Sequence, residues 1–195
     1  MQTIPIAQPD VSAIPAITRG TTFPASPEDG DIHFYPADGV TSTPSGAGTG
    51  VVWTFVYESS DGDWYFAGGH PLRVFDGDVR VRGASTSYGD LPTDPMSITL
   101  PALAGDWNIE VHAAITQPGG FESNFLSYAV GATAASDGWA TAASFLNAGS
   151  IPRTHKHTGV AASAVIAEKA RLSNSGNTNN FFSRQIKVWP VKHTP

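Results

Sequence analysis

The stretch Val51–Leu72, VVWTFVYESSDGDWYFAGGHPL, is the densest aromatic run of the chain, and it reads as one β-hairpin. Val51, Trp53, Phe55 and Tyr57 alternate with Val52, Thr54 and Val56, so a strand there has a large aromatic face and a smaller one. Ser60-Asp61-Gly62-Asp63 supplies the turn, because Asp-Gly readily takes the positive φ of a tight hairpin. The return strand, Asp63–Ala67, carries Trp64 and Phe66 on a single face, and Gly68-Gly69 with Pro71 ends it. A lone hairpin is marginal in water, so other elements must cover the aromatic face. Aromatics of this size are expected to fill a core, with Trp53 and Trp64 meeting across the paired strands. The alternative is an exposed platform on which sugars or bases stack.

Composition bounds what surrounds the hairpin. With 195 residues the chain makes one sandwich or two small domains. The charged fraction is only 14%, while glycine (20) and proline (15) are abundant, which favours short strands and many turns over long amphipathic helices. A net charge of −6 argues against nucleic acid as a partner, since phosphate binding needs clustered lysine and arginine. The absence of cysteine excludes CxxC redox chemistry and thiolate zinc sites. No run approaches the roughly 20 apolar residues of a membrane span, and no basic and apolar leader pattern opens the chain. The expectation is a soluble protein made in a cytoplasm, without membrane insertion.

Met1–Pro24 combines Pro5, Pro9, Pro15 and Pro24 with Ile4, Ile6, Val11, Ile14 and Ile17. Proline at that density excludes a regular helix, and the aliphatics exceed what a solvated tail carries. Residues 1–21 are therefore expected to be an extended arm that orders on a partner. A turn and a short strand, Asp31–Tyr35, follow, and then a Gly/Ser/Thr/Pro loop over Ala37–Gly50. Gly46-x-Gly48-x-Gly50 lacks the lysine and the following helix of a phosphate-binding loop. Arg73–Gly77 reads as a connector, which gives a small β module over 22–75 and a β-sandwich over 76–195.

The second part reads as short strands separated by turns. Val79 and Val81 alternate with arginines, and Met96–Leu100 is bounded by prolines. Asp106–Ile115 alternates most cleanly, with Trp107, Ile109, Val111 and Ala113 inward and Asn108, Glu110 and His112 outward. Gln117-Pro-Gly-Gly is a turn; Asn124–Ala132, Ala140–Leu146 and Ile151–Val160 are further strands. Arg184–Val191 closes the series with Ile186 and Val188 on one face. Ala161–Leu172 has high helix propensity, but in an all-β setting a strand is expected over Val165–Leu172. The fold class is all-β: a small N-terminal hairpin module followed by an antiparallel, jelly-roll-like β-sandwich.

Several of these segments resemble a unit of minor tail, tail-tip and fibre proteins of tailed bacteriophages, especially those of actinobacteria. The matching residues are Phe23-Pro24, Pro27-Glu28-Asp29-Gly30-Asp31, Trp53, Tyr57, Trp64, Phe66, Gly68-Gly69 and Pro71-Leu72. Tyr88-Gly89-Asp90-Leu91, the ITLPALAGDW segment (Ile98–Trp107) and FFSRQIKVWPV (Phe181–Val191) resemble the sandwich that follows. The resemblance implies a structural virion protein, assembled in the host cytoplasm as a homotrimer. It implies attachment to other virion proteins, here through the N-terminal arm, and contact with a host-surface glycan. A carbohydrate-binding adhesin, a capsid decoration protein and a head fibre are the alternatives.

The motifs carry little catalytic chemistry. His155-Lys156-His157 puts two imidazoles on one side of a strand, the sharpest candidate for a metal, but one chain then supplies two ligands, too few for a closed site. Asp61-Gly62-Asp63 and Asp76-Gly77-Asp78 pair carboxylates around glycine; turn chemistry explains both, and calcium loops use more oxygens. G-x-S-x-G, H-E-x-x-H and Walker patterns do not occur, so no catalytic residue, metal ligand or cofactor is assigned and enzyme activity is not expected.

Overall fold

The structure is a computed structural model that describes residues 14–195 apart from 39, 84, 94, 117–122, 145–151 and 174–177. Most of the N-terminal arm, the Gln117 turn and the end of the Ala140–Leu146 segment lie outside the described residues. The described residues form fourteen strands: β1 Ile17–Arg19, β2 Ile32–Pro36, β3 Ser42–Thr43, β4 Val52–Glu58, β5 Asp63–Gly68, β6 Leu72–Asp76, β7 Arg80–Arg82, β8 Ser97–Thr99, β9 Gly105–Thr116, β10 Ser123–Val130, β11 Thr141–Ser144, β12 Arg153–Val160, β13 Val165–Leu172 and β14 Asn179–His193. They form an all-β sandwich of a nine-stranded and a five-stranded sheet.

The long strand β14 organises the larger sheet. Along one side it pairs with β9, and along the other it pairs in succession with β7, β6 and β5. Beyond β5 come β4, β2 and, in parallel at the edge, β1; beyond β9 lies β12. The smaller sheet runs β11-β10-β13-β8-β3. Strand β9 buries Trp107, Ile109, Val111 and Ala113 and turns Asn108, Glu110 and His112 outward, as its alternation predicts. Ile186 and Val188 of β14 are fully buried from the same side.

The hairpin forms as expected. β4 pairs antiparallel with β5, and Gly62 sits in the turn at φ 73°. Trp53 and Trp64 are both fully buried, but they have different partners. Trp53 packs edge-on against Trp107 (5.6 Å between centroids), while Trp64 meets Tyr57 across the hairpin (5.2 Å) and Phe23 (5.1 Å). Hairpin and sandwich strands thus share one hydrophobic core.

Arg73–Gly77, expected as a connector, falls mostly within β6 (Leu72–Asp76), a strand of the larger sheet, because Leu72 and Val74 point into the core while Arg73 and Phe75 point out. The expected boundary between residues 75 and 76 falls inside it. Val165–Leu172 is a strand despite its helix propensity; Ile166, Glu168, Ala170 and Leu172 alternate inward. Residues 17–19, assigned to the arm, pair with β2, and the Ala16 N–H donates to Asp31 Oδ1 at 2.7 Å. Ile14 (72% exposed) and Ile17 (68%) remain on the surface at that edge.

Candidate functional site

The side of the larger sheet that faces away from the core carries a built surface. Strand register sets its layout. Pro71 precedes β6, and Trp189, Asn108 and Lys156 follow in line across β14, β9 and β12. The next row is Arg73, Lys187, Glu110 and Thr154, and the one after is Phe75, Gln185 and His112. Neighbouring strands lie about 4.8 Å apart, so four strands make a face roughly 15 Å wide.

The polar groups of this face hold one another. Lys187 Nζ pairs with Glu110 Oε1 at 2.7 Å, and Thr154 Oγ1 donates to Glu110 Oε2 at 3.3 Å. The Arg73 guanidinium lies over the Phe75 ring at 5.4 Å and donates to the Gln185 amide oxygen. Lys156 pairs with Asp106 at 3.0 Å. Beside these groups Trp189, Phe66, Pro71 and Gly69 join Glu110 and Lys187 around an open cleft of about 290 Å³. Apolar rings beside a few fixed polar groups are the usual make-up of a small-molecule site. Sequence reasoning placed Ile186 and Val188 inward but passed over Trp189. The same alternation that buries those two puts Trp189 on the open face.

The histidine pair lies elsewhere. His155 and His157 stand opposite Ile109 and Trp107 and are half-buried on the inner side of β12. Their rings are 4.9 Å apart, and Trp139 packs edge-on against His157 at 4.5 Å. His157 Nε2 shares a 2.9 Å hydrogen bond with the Tyr128 hydroxyl. Burial, with His155 alongside, lowers the His157 pKa to about 4, so this imidazole is neutral near pH 7. Among the described residues no group of three histidine, cysteine or carboxylate side chains could hold a metal, so the pair does not make a metal centre within one chain.

The carboxylate pairs have ordinary partners. Asp61 accepts from the Tyr65 hydroxyl, and Asp63 pairs with Lys192. Asp76 accepts from the Asp78 N–H at 2.8 Å and pairs with Arg184 and Arg80, while Asp78 also reaches Arg80. In the glycine loop the Gly50 N–H is taken by Asp38 Oδ1 at 3.0 Å, consistent with turn chemistry rather than a phosphate cradle.

No protein-family model and no curated protein matches this chain. Among solved structures it resembles the CBM22-1–GH10 modules of xylanase 10B from Clostridium thermocellum in complex with xylohexaose, at 10% identity and TM-score 0.32, over 60% of this chain and 28% of that one. It also resembles the CBM22-1 xylan-binding domain of Paenibacillus barcinonensis Xyn10C, at 13% identity and TM-score 0.28, over 84% and 97% of the two chains. A Stig cyclase from Fischerella sp. TAU matches at 11% identity and TM-score 0.30, over 89% and 80%. At these scores no functional statement follows from the likenesses.

Proposed function

We propose that this chain is a non-catalytic carbohydrate-binding β-sandwich that uses the open face of its larger sheet. The observation that carries the reading is the cleft where Trp189 and Phe66 lie beside the Glu110–Lys187 pair. A pyranose ring has an apolar C–H face, which packs on an indole, and an equatorial rim of hydroxyls, which needs both donors and acceptors. Trp189 supplies the first, and Lys187, Glu110 and Asn108 supply the second, held in place by strand pairing. Every polar group there belongs to a rigid strand, so little ordering cost opposes binding. The test is a glycan array with a panel of soluble plant and bacterial cell-wall polysaccharides, read for the wild type and for Trp189→Ala. Binding that Trp189→Ala abolishes supports the reading. Absence of binding to every glycan, or unchanged binding by the variant, overturns it.

The sequence resemblance supplies a setting for such a module. We also propose that it is displayed on a virion as a homotrimer, and the exposed Ile17 of edge strand β1, with Ile14 just before it, favours a partner at that edge. Deleting Met1–Gly20 is expected to abolish incorporation into particles. A stable monomer at micromolar concentration, or normal incorporation of the truncated protein, counts against this setting.

A further inference from the structure

A second groove, of about 530 Å³, opens at one end of the sandwich. Its walls come from four separate parts of the chain: the approach to β2, the end of β2 with the loop to β3, the end of β8, and the turn between β12 and β13. Its volume falls within the range of about 300–1,000 Å³ common for small-molecule sites.

The chemistry of the lining is distinctive. Thr22, Thr41, Thr99 and Ser163 each bring a hydroxyl, and Asp38 brings the one carboxylate. Asp38 Oδ1 is held by the Gly50 N–H at 3.0 Å, while Oδ2 accepts no hydrogen bond from the described residues. Val40 and Leu100 supply apolar wall. No lysine, arginine or histidine is among the lining residues.

Tyr35 also lines the groove, and it is only 3% exposed. Its ring stacks on Phe23 at 5.7 Å and on Trp53 at 6.2 Å, so the side chain is fixed. Its hydroxyl has no hydrogen-bond partner among the described residues, whereas the Trp53 indole N–H beside it donates to the His70 carbonyl at 2.8 Å. The hydroxyl itself keeps solvent contact at the groove, so it is free to donate to a molecule bound there. Burial raises the Tyr35 pKa, so the phenol remains a neutral donor.

We propose that this groove is a second binding site and that it takes a neutral sugar unit, with the Tyr35 hydroxyl and the Asp38 carboxylate as its polar contacts. A ring of hydroxyls matches the threonine and serine hydroxyls, and its C–H face packs on Val40 and Leu100. An anionic sugar is rejected, because the groove holds a carboxylate and no cation to pair with the ligand's charge. The site goes beyond the outer-face reading and shares no residue with it.

The experiment is an amide ¹H–¹⁵N NMR titration of the full chain with glucose, galactose, mannose, N-acetylglucosamine and cellobiose, with glucuronate as the charged control. At least one neutral sugar is expected to shift the amides of Thr22, Asp38, Thr99 and Ser163, and glucuronate is expected not to. Tyr35→Phe keeps the stacked ring and is expected to weaken binding by about tenfold, the effect of one hydrogen bond in a desolvated site. Asp38→Asn tests the carboxylate in the same way. Trp189→Ala is expected to leave the groove titration unchanged, which separates this site from the outer face. No shifts at the groove with any neutral sugar overturn the proposal. So do full-affinity binding by both Tyr35→Phe and Asp38→Asn, equal binding of glucuronate, and loss of the groove shifts in Trp189→Ala.

Discussion

Arg184 of β14 and Glu168 of β13 form an ion pair across the two sheets, and both side chains are fully buried. Arg184 also pairs with Asp76 of β6, and the Met96 N–H donates to Glu168 Oε2 at 3.0 Å. Burial dominates the Glu168 titration and raises its pKa to about 7, against the opposing pull of Arg184 and the Met96 N–H. Glu168 Oε1 and Arg184 Nε find no hydrogen-bond partner among the described residues, so the network is incompletely satisfied there. A buried pair of this kind contributes little net stability over an apolar replacement, but removing one partner leaves the other uncompensated.

Arg184→Met therefore strands Glu168 without its cation and leaves Asp76 with Arg80. The variant is expected to lose about 3–5 kcal/mol at pH 7.5 by urea unfolding. Part of the loss is expected to return near pH 5, where Glu168 takes a proton and the uncompensated charge disappears. Equal destabilisation at both pH values would show that lost packing, and not charge, sets the cost.

Glu168→Gln keeps an oxygen for Arg184 and Met96 and removes the titration. A carboxyl whose folded pKa is raised binds its proton more tightly in the folded state. Its stability contribution is thus full below its ordinary value of 4.5 and is lost as the pH rises through about 7. Relative to Glu168→Gln, the wild type is expected to gain in melting temperature as the pH falls from about 7 toward 4.5. Asp76 works in the opposite sense: burial raises its pKa, but the Asp78 N–H, Arg184 and Arg80 outweigh it and hold the pKa below 3.8. Since Asp76 is present in both proteins, a parallel pair of melting curves across this range would refute the role of Glu168.

Trp53 and Trp189 separate core from surface. Trp53→Ala is expected to cost about 3–5 kcal/mol, because it empties a fully buried position against Trp107 and Tyr35. Trp189→Ala, on the open face, is expected to leave the melting temperature within a few degrees of wild type. Thermal unfolding of the two variants side by side checks the assignment. Comparable large losses would mean that Trp189 is part of the core.

Gly105 begins β9 at φ +141°, and a Cβ there would lie 2.1 Å from the Lys192 carbonyl oxygen. The close approach of β9 to the end of β14 thus requires glycine. Gly105→Ala is expected to destabilise by at least about 1–3 kcal/mol from backbone strain alone, before the clash is relieved. Chemical denaturation that finds no change would show that the two strands can separate freely at this end.

Much of the architecture is a local matter. The pleat turns successive side chains to opposite faces, so Trp107, Ile109, Val111 and Ala113 could be assigned inward from spacing alone. Asp61-Gly62 marked its turn for an equally local reason, since glycine accepts positive φ. Which strands pair is not local. β14 draws partners from residues 64–65, 72–76, 80–82 and 105–116, and nothing in the alternation of Arg184–Val191 names them. Nothing in the helix-prone Val165–Leu172 segment marks Glu168 as buried, and Arg184 and the Met96 N–H, brought against it by the packing of two sheets, make its burial tolerable. Both candidate sites follow the same division. Trp189 is only half-buried because, among the described residues, no element packs over the outer face of β14, and the second groove exists because Thr22, Tyr35, Asp38, Thr99 and Ser163 converge from distant loops and strand ends. Period and turn chemistry depend on near neighbours and are written in the sequence; coverage and convergence depend on contacts between distant segments, and the tertiary structure alone decides them.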